Sequence, residues 1–136
     1  MADEFGLLLD HVHLRVRDLA ASRRFYEAAL GALGLAPTWS GDHALELHEV
    51  FLSDDGPPTG PIHLAFRAGS REAVDRFHAA ALGAGGRDNG LPGERSYHPG
   101  YYAAYVLDPD GNNVEAVFHG RPGTPAIPSD PPDPRP

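Results

Sequence analysis

Apolar and polar residues alternate through HVHLRV (11–16). Val12, Leu14 and Val16 fall on one face, as a half-buried strand requires. Phe25, Ala28, Ala29, Ala32 and Leu33 then recur at helical spacing, which predicts a helix capped by Asp18 and stopped by Gly34. The same order returns further along. Ile62, Leu64 and Phe66 form a strand face, Ser70 a cap, and Phe77, Ala80, Ala81 and Ala84 a second helical stripe. Additional strands are expected around Ala44–Ser53, whole or divided, and at Tyr101–Leu107 and Asn113–His119, the last two joined by the turn signal DPDG.

The recurrence is a repeat. Residues 11–34 lie over 63–86 without a gap at an offset of 52. Identities fall at His11/His63, Arg15/Arg67, Ala21/Ala73, Arg24/Arg76, Phe25/Phe77, Ala28/Ala80, Ala29/Ala81, Leu30/Leu82, Gly31/Gly83, Ala32/Ala84 and Gly34/Gly86. Two copies only, at this spacing, indicate a paired-module domain rather than a solenoid. The expected fold is α+β: two βαβββ modules, about 9–55 and 61–119, forming a curved mixed sheet around one concave site. The folded domain is expected over 5–120. Residues 121–136 hold seven of the fourteen prolines and read as an extended tail.

Strand parity sorts the side chains. With Val12, Leu14 and Val16 toward the helices, His11, His13 and Arg15 face the other way, as do His63, Ala65 and Arg67 in the second copy. Val114, Ala116 and Phe118 point to the helices, leaving Glu115 and His119 inward; Tyr101, Ala103 and Tyr105 are inward by the same rule. The duplication relates His11 to His63 by a pseudo-two-fold axis, and Glu115 joins them on the concave surface. Two imidazoles and a carboxylate suit a divalent metal such as Fe(II), Mn(II), Ni(II) or Zn(II). His13 and His119 read as hydrogen-bonded histidines or substrate contacts. Arg15 and Arg67 either bind an anionic substrate or pair with acids at the sheet edge. His98, before Pro99 in a loop, is either a general base or an ordinary loop histidine.

Composition removes several classes of function. A net charge of -8 without a basic stripe argues against nucleic acid or an anionic membrane as partner. The absence of cysteine excludes disulfides, thiolate ligands and a cysteine nucleophile. All eleven basic residues are arginine, so lysine chemistry is excluded too. The opening MADEFGLLLD is neither a signal peptide nor a membrane span, so a cytoplasmic location is expected.

The stretches LLLDHVHLRVRDLAASRRFYEAALGALGL, PIHLAF and YVLDPDGNNVEAVFH together resemble the vicinal oxygen chelate superfamily. Its members include glyoxalase I, extradiol ring-cleaving dioxygenases, fosfomycin-inactivating thiol transferases and bleomycin-binding resistance proteins. The resemblance implies metal ligation by His11, His63 and Glu115, and homodimerisation. It implies a metal-dependent enzyme, lyase or isomerase or ring-cleaving dioxygenase, that binds vicinal oxygens of a small substrate. The alternative it offers is a metal-free binding protein that sequesters a drug or natural product. Glyoxalase I adds a glutamate from the first module; Glu49 is the best candidate here and Glu46 the next, but the local match is poor, which favours three protein ligands. Glu49 or His98 would act as base. The segment GERSYHPGYYAAY is expected to contact substrate, with Tyr101 and Tyr105 as walls.

Overall fold

The computed structural model describes residues 8–120. The proline-rich tail and residues 5–7 of the expected domain lie outside the described residues. Each module begins with a short strand and a helix: β1 (Val12–Arg15) and α1 (Leu19–Gly31), then β5 (His63–Arg67) and α2 (Arg71–Gly83). Three strands complete each, β2 (Trp39–Ser40), β3 (Ala44–Leu47) and β4 (Val50–Ser53) in the first, β6 (Arg87–Glu94), β7 (Tyr102–Leu107) and β8 (Asn113–Phe118) in the second. Both caps are those the sequence predicts: Asp18 accepts from the Ala21 N–H at 3.2 Å and Ser70 from that of Ala73 at 3.1 Å. Gly34 has φ +88°, the left-handed backbone of a helix stop, but regular helix ends at Gly31.

The modules build two separate four-stranded mixed sheets, ordered β1-β4-β3-β2 and β5-β8-β7-β6. In each, the module's first strand lies parallel to its last and occupies the sheet edge. Side chains from both helices and one face of each sheet merge into one core, with Leu14, Phe25, Tyr26, Leu30, Leu52, Phe77 and Val106 at 0–2% exposure. The helices pack on each other and carry most of the junction between modules. A buried bond reinforces it: the Tyr26 hydroxyl donates to Asp108 Oδ2 at 2.5 Å. Gly86 is needed at the junction because a Cβ there would lie 2.6 Å from Phe25 and 2.5 Å from Val106. Among the described residues, no helix is long and apolar enough to cross a membrane.

Candidate functional site

The outer face of the second sheet holds the densest polar constellation. β5 and β8 run parallel with Ala65 opposite Glu115, so the Glu115 side chain rises beside β5 on the face that His63 shares. The Glu115 carboxylate is 2% exposed. His63 Nε2 lies 2.8 Å from its Oε1, and the Tyr101 hydroxyl donates to its Oε2 at 2.6 Å. A carboxylate accepts from both partners, so His63 carries its proton on Nε2 in this arrangement. Burial, then the Glu115 carboxylate, push the Tyr101 phenol well above its ordinary pKa, which keeps it a donor. Tyr105, next to Glu115 across the ladder, is raised by the same two causes, and its ring centroid is 6.0 Å from that of His63.

The register of this pair is set locally. Asn112, 2% exposed, accepts from the Ile62 N–H at 2.9 Å and donates through Nδ2 to Asp108 Oδ2 at 2.8 Å. The Asn113 N–H returns a bond to the Ile62 carbonyl at 2.9 Å. The residue before His63 is thereby pinned to the turn before Glu115.

His98 and His119 form a second cluster beside Tyr101. His98 Nδ1 is 2.9 Å from the Pro99 carbonyl, which can only accept, so the Nδ1 proton points there. In neutral His98, Nε2 then accepts from His119 Nδ1, 3.0 Å away, and the two rings stack with centroids 5.2 Å apart. Both also meet Tyr101 edge to face at 5.3 Å. Neither is within the Glu115 hydrogen bonds.

The first sheet is arranged differently. His13 Nε2 is 2.7 Å from Ser53 Oγ, and Ser53 donates its hydroxyl proton to Asp55 Oδ1 at 2.8 Å. The imidazole must therefore donate, and His13 is a hydrogen-bonded residue of this sheet. Arg15 Nε donates to the same Asp55 oxygen at 3.1 Å, so it makes the ion pair at the sheet edge. Glu46 Oε1 accepts from Thr38 at 2.8 Å. His11, just before β1, is exposed and holds Asp10 Oδ1 through Nδ1 at 2.8 Å.

Register also identifies what occupies the first module's counterpart of Glu115. β1–β4 pairs His13 with Phe51 as β5–β8 pairs Ala65 with Glu115, so Phe51 stands at the equivalent place, its ring 5.0 Å from that of His13. Glu49 instead sits at the turn between β3 and β4. It lines a cleft of about 330 Å³ between the modules, together with Leu47 and His48 on one side and Phe66, Arg67 and His119 on the other. His48 takes φ +58° to make this turn.

The sequence expectation that His11, His63 and Glu115 meet within one chain is corrected here. The structure joins His63 to Glu115, but among the described residues no group of three or more His, Asp or Glu side chains could hold a metal ion. The cause is architectural: the modules join through their helices, and His11 precedes β1 while His63 opens β5, the edges of different sheets. Residue-by-residue reading also missed Tyr97, Arg95, Asn112 and Phe51. Tyr97 and Arg95 fall in the GERSYHPGYYAAY segment already singled out, where no strand parity reached them.

The comparisons agree with this architecture. The family model described as Glyoxalase/Bleomycin resistance protein/Dioxygenase superfamily matches residues 8–116. No curated protein matches the sequence. A crystal structure of a glyoxalase/bleomycin resistance protein from Albidiferax ferrireducens T118 is 34% identical with a TM-score of 0.72, over 81% of this chain and 98% of that one. A putative glyoxalase from Bacillus halodurans is 28% identical with a TM-score of 0.62, over 85% and 98%. Lactoylglutathione lyase from Agrobacterium tumefaciens, 22% identical with a TM-score of 0.60 over 83% and 93%, shares the fold.

Proposed function

This chain belongs to the glyoxalase/bleomycin resistance protein/dioxygenase superfamily, and from that premise we propose that it is a metal-dependent enzyme that binds a small substrate through vicinal oxygens. His63 and Glu115 of one copy and His11 of a second copy are the protein ligands in this reading, and the working molecule is a homodimer.

The observation that carries the proposal is the 2.8 Å approach of His63 Nε2 to Glu115 Oε1, with the Tyr105 ring centroid 6.0 Å from that of the imidazole. Two ligand atoms on adjacent corners of one coordination sphere, each about 2.1 Å from the ion, are themselves about 3 Å apart. A nitrogen–oxygen pair at this separation suits a first-row divalent ion once the His63 ring carries its proton on Nδ1 and leaves Nε2 to ligate. His11 supports the same reading. Asp10 takes its Nδ1 proton, which leaves Nε2 as the ligating nitrogen and fixes the ring's tautomer. The edge positions of β1 and β5 let a two-fold partner bring its His11 to this chain's His63.

Phe51 at the counterpart of Glu115 supports a three-ligand set. Two imidazoles and one carboxylate leave open positions for two substrate oxygens, the donor pattern of non-haem iron oxygenases, and this favours the ring-cleaving class over the lyase class. The bound ion would supply Lewis acidity toward the substrate oxygens it holds. The protein's own groups orient the pair: Tyr101 fixes Glu115 by donating to Oε2, and Tyr105 stands beside the His63 ring. His98 and His119 orient each other through the bond between Nε2 and Nδ1. Glu49, which lines the inter-module cleft with Arg67 and His119, is the candidate base.

One observation favours a second reading, a metal-free binding protein: both Glu115 oxygens already have protein donors. Elemental analysis of full-length protein, purified without chelator or nickel resin, separates the two. Near-stoichiometric divalent metal that is lost in His63→Ala supports the enzyme. Metal-free protein that takes up none on reconstitution at neutral pH removes it, and chelator-insensitive ligand uptake would then support the binding protein.

A further inference from the structure

Arg95 lies across the second sheet in a recess made by missing side chains. A Cβ on Gly93 would come within 3.1 Å of its Nη1, and one on Gly90 within 3.4 Å of its Nη2 and 3.3 Å of the Tyr105 ring. The guanidinium is fixed from below by the Leu91 carbonyl at 2.8 Å and the Glu94 carbonyl at 3.4 Å, and it stands 5.2 Å from the Tyr105 ring centroid. Five N–H groups leave donors beyond those two bonds and the one to the Tyr105 side chain, and among the described residues no carboxylate pairs with Arg95. Next to it Tyr97, 61% exposed, meets Tyr101 edge to face at 4.8 Å. Tyr105 pairs with Gly90 on one side and Glu115 on the other, so Arg95 and the His63–Glu115 pair flank one tyrosine, at roughly one to two strand spacings or about 5–10 Å.

We propose that this face binds an aromatic carboxylate, with the carboxylate on Arg95 and the ring against Tyr97 and Tyr105. The inference rests on reading the face as the substrate site and names the substrate class: a ring acid whose oxygen substituents reach the His63–Glu115 end. An anion satisfies the unused guanidinium donors bidentately, and a planar ring uses the exposed tyrosine faces better than a saturated one.

The test uses the full chain with EDTA present, so that it does not depend on any metal. Benzoate, cyclohexanecarboxylate and benzyl alcohol are titrated by ligand-observed NMR. Benzoate is expected to bind about tenfold more tightly than benzyl alcohol, the effect of one charge-assisted pair, and more tightly than cyclohexanecarboxylate. Arg95→Gln should bring benzoate down to the level of benzyl alcohol, and Tyr97→Leu should bring it down to that of cyclohexanecarboxylate. Equal binding of the three probes, binding of none, or benzoate affinity unchanged in Arg95→Gln overturns the inference. Benzoate binding by a protein that takes up no metal would leave this site standing and remove only the metal reading; metal uptake without benzoate binding would do the reverse.

Discussion

Between Tyr101 and Glu115 the proton has one owner. The raised phenol pKa keeps the hydroxyl a donor, so the bond to Oε2 is present in full below the ordinary tyrosine value near pH 10 and is lost only as pH climbs through the higher folded value. Tyr101→Phe leaves a buried carboxylate oxygen without that donor, and a loss of about 1–3 kcal/mol is expected, equal at pH 6 and pH 9, by urea denaturation. A loss confined to one end of that range would mean that another group supplies the interaction. At this scale much of the site was legible, because strand parity alone places His63, Glu115, Tyr101 and Tyr105 on one face. Phe51 was not. The loops after the two helices differ in length, so the offset of 52 lapses before β4 and only the observed register makes Phe51 the counterpart of Glu115.

Elements with a strong period were readable and those without one were not. Both helices and strands β1, β5, β7 and β8 follow their apolar spacing. β2 is two residues long, and β6 runs through RDNGLPGE, whose glycines and proline oppose a strand locally. Its pairing with β7, interrupted by bulges, and its attachment to α2 hold it in place. That attachment includes His78, buried on α2, whose Nε2 lies 2.8 Å from Asp88 Oδ1 on β6. The His78 bond, then the Gly90 N–H, lower the Asp88 pKa. A lowered folded pKa stabilises above the unfolded value near 3.9, and the contribution disappears as pH falls through the folded value. The expected outcome is that wild type loses more stability than Asp88→Asn on going from about pH 5 to about pH 3, read as the change in denaturant midpoint. Parallel loss in both proteins would show that the pair contributes nothing to the α2–β6 contact.

For the whole molecule, duplication was legible but the way its halves close was not. The repeat predicts two equivalent histidines, and it is silent on whether the halves face each other within a chain or across a dimer. The helix-to-helix junction keeps the two histidines from meeting within one chain, and the proposed function therefore draws the donors from two copies. Mixed dimers of His11→Ala and His63→Ala chains should therefore regain metal binding that neither variant shows alone, since each mixed dimer contains one complete donor set and one empty of both histidines. Elemental analysis after subunit exchange measures this. A mixture that stays metal-free beside loaded wild type would show that the donors do not come from two copies. The Asn112 clamp adds a consequence for such an assembly. Because it ties the start of β5 to the hairpin that leads into Glu115, the spacing of His63 and Glu115 is set inside one chain, whatever the position of a second copy. In the proposed dimer, half of the coordination cage would then be built before the two copies meet.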